Sequence, residues 1–171
     1  LSELAEQLIY APVINQQSIH PEAVSVNDIA KQVEALMRPI FSKNGNRIVL
    51  NQTKDCPLVH VNPGMLSQIL LNLCMNANRH TSNGEIIIQA KSTTDGMAEI
   101  KVIDNGDGIE PSLLPTVFKR GVSGDGKSGL GLNICKDTVE VHGGKIFINS
   151  PSTGGTVVTF TLPLELEERK S

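Results

Sequence analysis

Two asparagines four residues apart, Asn72 and Asn76, follow Gln68 and precede Arg79, so three amides and a cation share one stripe of MLSQILLNLCMNANRHT (65–81). At about 100° per residue, Leu66, Ile69, Leu70, Leu73 and Ala77 form an apolar stripe beside it. Surface helices usually carry Glu and Lys on the wet side, and Asn is a mediocre residue in a helix interior. Two readings follow. Either the asparagines simply face water, or their oxygens and the cation line a small-molecule or metal site, where hard oxygen donors suit Mg²⁺.

Asp104 is the second candidate. It follows a strand-like run and precedes Gly106 and Gly108, so a carboxylate is held at a strand end while the backbone beyond it can approach a flat ligand. A carboxylate accepts from an exocyclic amine. The plainer reading is a turn in which Asp and Asn satisfy local amides. The third candidate, Gly129-Leu130-Gly131-Leu132, opens a helix whose first N–H groups are unpaired and whose dipole favours phosphates, unless it is a flexible loop before an ordinary helix. The preceding loop matches G-x-x-x-x-G-K-S over 121–128 and G-x-G-x-x-G over 124–129. Both patterns require a preceding strand, and Leu113 to Arg120, with Pro115, Lys119 and Arg120, makes a poor one. Both matches are read as accidents of a glycine-rich loop.

The elements that must position these groups are legible in order. Leu1 to Tyr10 has helical spacing and is read as the cut end of a longer helix. Ser18 to Val26 reads as an edge strand, and Asn27 as the cap of a helix over 28–43 whose face is Ile29, Val33, Leu36, Met37 and Ile40, stopped by Asn44-Gly45. Arg47 to Asn51 and Leu58 to Val61 are strand candidates. The asparagine-bearing helix is capped by Asn62, has Pro63 at its first position, and ends at Ser82-Asn83-Gly84. Glu85 to Ser92 and Met97 to Ile103 form a hairpin across Thr94-Asp95-Gly96. Glu110 to Phe118 reads as a short helix broken by Pro115. Gly129 to His142 reads as a helix (Leu130, Ile134, Thr138, Val141), Lys145 to Asn149 and Thr156 to Leu162 as strands, and Glu165 to Ser171 as a frayed tail.

A chain of 171 residues that is 39% hydrophobic supports one core, read as a domain over 17–165 between a linker remnant (1–16) and the tail. A net charge of -3 and 3% aromatic content argue against nucleic acid as a partner. Cys56, Cys74 and Cys135 form no metal-ligand pair or disulfide framework, which fits a reducing cytoplasm. No apolar run approaches the roughly 20 residues of a membrane helix.

Taken together, the ordered motifs from about Val24 to Leu162 resemble the catalytic, ATP-binding domain of sensor histidine kinases, within the superfamily that includes gyrase, Hsp90 and MutL. LLNLCMNANRHT resembles the N box, DNGDGI the G1 box, Phe118 the F box, GLGL (Gly129, Leu130, Gly131, Leu132) the G2 box, and GGTVVTF the last element. The resemblance implies an α/β (α+β) two-layer sandwich, with a mixed, mostly antiparallel sheet, helices on one face, and ATP between the helices and a lid over 118–128. It implies that Asn76 coordinates Mg²⁺, that Asn72 and Arg79 lie at the phosphates, and that His80 packs on the nucleotide. It also implies that Asp104 bonds the adenine amine, that Gly106 and Gly108 admit the base, that Thr156 helps to read it, and that Gly129 and Gly131 let the helix meet the phosphates. Lys127 is the nearest lid cation, with Lys119 and Arg120 next.

The superfamily's ATPases and serine-directed kinases carry Glu as general base four residues before the metal-binding Asn. Asn72 stands there instead, and an amide cannot take a proton at neutral pH. A histidine acceptor needs no such base. The expected function is therefore transfer of the γ-phosphoryl group of Mg-ATP to a histidine on a separate dimerisation domain, with a response regulator as partner. The parent is expected to be homodimeric, as a cytosolic protein or the cytosolic part of an anchored sensor, and the fragment monomeric. A nucleotide-binding regulatory module and an ATPase are the alternatives. His20, followed by Pro21-Glu22, is not the expected acceptor, and His60 and His142 are read as structural.

Overall fold

Period-two burial in the strands and a 3.6-residue apolar stripe in the helices sort the chain into two layers. A computed structural model describes residues 20–119 and 130–165. In order, β1 is Glu22–Ser25, α1 Val26–Ser42, β2 Arg47–Asn51, β3 Leu58–Val61, α2 Pro63–Arg79, β4 Glu85–Ser92, β5 Met97–Asp104, α3 Leu130–Val141, β6 Ile146–Asn149 and β7 Thr156–Pro163. β1 and β3 form a small antiparallel sheet, and the main sheet runs β2-β4-β5-β7-β6. The β2–β4 pair is parallel and the other pairs are antiparallel.

One face of this sheet, including Ile86, Ile88, Ile100, Val102, Val158, Phe160 and Leu162, is buried with Leu66, Ile69, Leu70 and Leu73 of α2, Val33, Met37 and Phe41 of α1, and Cys135 and Val139 of α3 in one core. Full burial of each large aliphatic side chain contributes about 1.5 to 3 kcal/mol, so this layer contact outweighs any helix's local propensity. The sandwich expected from the resemblance is thus present, with a mixed sheet and the helices against its inner face.

Several boundaries differ. The strand expected over 18–26 is confined to β1 within the described residues, and α1 starts at Val26 because Ser25, not Asn27, caps it by accepting from the Asp28 N–H at 3.3 Å. Leu36 lies on the flank of the buried α1 stripe and is 56% exposed, while Phe41, four residues after Met37, is fully buried. Val141 of α3 is likewise exposed, while Thr138 is buried on the expected face together with Cys135 and Val139. The short helix expected over 110–118 is only a 3₁₀ turn, Leu114–Thr116, since Pro115 lacks the N–H an α-helix would use there. His20 precedes β1 rather than lying in a strand.

The tail is tied down at its start. Leu164 bridges Val59, the Glu165 N–H donates to the Leu58 carbonyl at 2.9 Å, and the Glu165 carboxylate lies 3.0 Å from His60 Nδ1. Leu1 to Tyr10, the loop 121–128 and residues 166–171 lie outside the described residues. Among the described residues no helix is long and apolar enough to cross a membrane.

Candidate functional site

Asn62 caps α2 by accepting from the Met65 N–H at 3.2 Å, with Pro63 in the first turn, as its sequence predicts. The apolar stripe Leu66, Ile69, Leu70, Leu73 and Ala77 is buried as expected. The polar stripe divides. Asn76 and Arg79 are partly exposed, with Arg79 Nη2 donating to Asn76 Oδ1 at 3.3 Å. Asn72 is only 1% exposed. The reading in which both asparagines simply face water therefore fails, because α3 packs across the flank of α2 at Asn72 and places the buried Cys135 thiol, a weak partner for its amide, beside it. Gln68 Nε2 donates to Asn72 Oδ1 at 2.9 Å, while Asn72 Nδ2 is sealed from solvent with no hydrogen bond of good geometry among the described residues. Burial pushes the thiol of Cys135, like that of Cys74, up to about 12, so both are inert core groups.

Asp104 ends β5 and is buried, directly opposite Thr156 in the β5–β7 register. Its Oδ1 accepts from the Gly106 N–H at 3.0 Å. Burial raises its pKa; the Gly106 N–H, the charge of His80, the Thr156 backbone and the Thr81 hydroxyl oppose that shift without cancelling it. The carboxylate is therefore under-solvated and poised to gain from one more donor.

The end of α2 and the Asp104 loop are joined by main-chain contacts. The His80 carbonyl accepts from the Asp107 N–H at 3.0 Å, and a Cβ on Gly106 would lie 2.1 Å from that oxygen. Gly155 has φ +80, and a Cβ there would lie 2.2 Å from the Asp104 carbonyl. Only glycine lets these backbones close on His80 and on Asp104. Gly106→Ala is accordingly expected to push the loop off His80, cutting the nucleotide affinity that the resemblance implies at least about tenfold while the far-ultraviolet dichroism stays native. Gly155 was missed by the sequence reading although it stands in GGTVVTF, because its contact is across strands. Ser150 was also missed; its hydroxyl ties Ile109 N–H (2.9 Å) to the Gly155 carbonyl (2.8 Å) behind Gly108.

Of the other expected residues, Phe118 and Leu132 are partly buried against the core, with Lys136 Nζ 6.0 Å from the Phe118 ring centroid, so Phe118 packs beside α3. Leu130 and Gly131 open α3. Lys127 and Gly129 lie outside the described residues. Among the described residues no three His, Cys, Asp or Glu side chains converge as a cation cage. The donor present on the open face, the Asn76 amide oxygen, suits a Mg²⁺ ion that keeps water and phosphate oxygens for most of its shell.

The family model described as histidine kinase-, DNA gyrase B-, and HSP90-like ATPase matches residues 61–166, the span carrying α2, Asp104, α3 and Thr156. The chain belongs to that family. Among its curated relatives, the adaptive-response sensory kinase SasA of Synechocystis sp. is 30% identical over 173 residues, covering 96% of this chain and 45% of the relative. The chain thus spans less than half the length of that relative. The full-length ShkA structure in complex with AMPPNP aligns with a TM-score of 0.80 at 28% identity, over 91% of this chain and 33% of that one. The nucleotide-free catalytic domain of histidine kinase ThkA aligns with a TM-score of 0.76 at 25% identity, over 84% of this chain and 95% of that one. ThkA in complex with the response regulator TrrA matches at 24% identity with a TM-score of 0.76, a likeness of fold, over 98% of this chain and 50% of that one. This family chain therefore has the fold of the ATP-binding catalytic domains of sensor histidine kinases.

Proposed function

We propose that this domain binds Mg-ATP and passes its γ-phosphoryl group to a histidine on a separate helical hairpin domain, from which a response regulator takes it. The observation that carries this reading is the junction at His80. There the strand end bearing Asp104 and Thr156 is bonded to the helix end bearing Asn76 and Arg79, giving one framework with a carboxylate at one pole and an amide and a guanidinium at the other.

In this mechanism Asp104 accepts from the adenine amine and Thr156 orients the base beside it. Asn76 Oδ1 would hold Mg²⁺, which would supply charge neutralisation on the transferring group. Arg79 and Lys127 are assigned to the phosphate oxygens, and the first turn of α3 to their distal side. No group near Asn72 is assigned as a base. The lone pair of a neutral imidazole forms the N–P bond as the bond to the β,γ-bridging oxygen breaks and ADP leaves, so the domain supplies position and charge rather than proton abstraction.

The expected result with γ-labelled ATP is no label on the domain alone and acid-labile label on a cognate hairpin domain added in trans. Nucleotide binding without label transfer would favour the regulatory-module reading. Phosphate release without hairpin, at a rate matching dedicated ATPases, would overturn the role given to Asn72.

A further inference from the structure

Asn46 starts the main sheet just before β2, on the opposite side of the α2–β4 turn from the site, and is only 6% exposed. Its Nδ2 donates to the Thr81 carbonyl at 2.7 Å and to Asn78 Oδ1 at 2.8 Å, and its Oδ1 accepts from the Gly84 N–H at 3.0 Å. Each of these close bonds ends within residues 78–84, the turn that closes α2 and leads into β4. Main-chain bonds from Arg47 N–H to Gly84 O (2.9 Å) and from Asn83 N–H to Asn44 O (3.0 Å) fasten the same seam. The turn in turn holds the Asp104 loop: His80 O accepts from Asp107 N–H, and Asn105 Oδ1 accepts from Glu85 N–H at 2.8 Å.

We infer that Asn46 is a positioning residue for nucleotide: its amide holds the end of α2 and the Asp104 loop in one register, so that the purine and phosphate ends of ATP are bound together. This rests on the nucleotide reading above. A buried amide with both its donor and acceptor sides used resists displacement, because any slip of the turn leaves polar groups unpaired away from water. Aspartate at this position would set acceptors against the Thr81 carbonyl and Asn78 Oδ1. A wrong register costs most for a ligand that must reach both poles, and less for adenosine, which reaches one.

The test is calorimetric titration of the native chain, Asn46→Asp and Asn105→Ala with Mg-ATP, and competition of adenosine against a fluorescent ATP analogue, well below each variant's melting temperature. Asn105 is exposed, so its variant keeps the tie testable if Asn46→Asp does not fold. For each folded variant the expected result is a Kd for Mg-ATP raised about tenfold at unchanged stoichiometry, with adenosine weakened less than about threefold. A native Kd for Mg-ATP in the folded variants, or equal losses for ATP and adenosine, overturns the inference. A native chain that does not bind Mg-ATP at all fails the functional proposal instead.

Discussion

Asp104→Ala is expected to weaken Mg-ATP binding by at least about 30-fold, and Asp104→Asn by a similar factor, while Asp104→Asn raises the melting temperature of the nucleotide-free domain. In the proposed role of Asp104, removing the acceptor would leave the purine amine buried and unpaired, a penalty of about 1 to 3 kcal/mol, with the loss of a charge-assisted bond added to it. The opposite sign for stability follows from burial. The folded-state pKa of Asp104 is raised, so the folded protein binds this proton more tightly than the unfolded chain does. The stability linked to that proton is present below the unfolded pKa and is lost as pH rises through the raised folded value. At neutral pH the ionised carboxylate thus costs the empty fold stability, and a neutral amide of the same shape relieves that cost. Affinity for Mg-ATP is expected to fall as pH drops through the raised pKa, because the protonated acid is the poorer acceptor. Thermal shift with and without Mg-ATP measures both effects; an Asp104→Asn domain that binds ATP like the native one would remove Asp104 from the purine site.

The second large effect belongs to the core. Phe160 lies in β7 between Ile100 of β5 and Ile146 of β6 and is fully buried. Phe160→Ala is expected to cost about 3 to 5 kcal/mol, since surrounding β-sheet relaxes only partly into the space left behind. That is a large share of the stability of a domain this size, and the melting midpoint should fall by about 10 °C or more. The β7 register places Thr156 opposite Asp104, so residual ATP binding should weaken with the fold. A midpoint within a few degrees of the native value would show that β7 is less central to the core than its burial implies.

Local chemistry made much of this legible. Asn62-Pro63 marked the start of α2 because capping and proline's fixed φ act within one turn, and the hairpin followed from the turn residues Thr94-Asp95-Gly96 between two strand-like runs, where Gly96 indeed takes φ +80. Ser25 was passed over for Asn27 because both are good caps and only the end of β1 decides between them. Leu36 was assigned to the core for a similar reason, as hydrophobicity marks a face to within about one position of its edge.

By itself the sequence determined the order and type of most elements, the apolar face of α2, and the place of Asp104 at a strand end before glycines, because periodicity and turn chemistry are read from neighbours in the chain. Only the tertiary structure decided that Asn72 is sealed under α3, that Asn46 fastens the α2–β4 turn from more than 30 residues away, and that Gly106 and Gly155 close on His80 and Asp104. Those facts depend on which segments distant in sequence meet, and the burial of a polar side chain is set by its neighbours in space rather than by its own spacing.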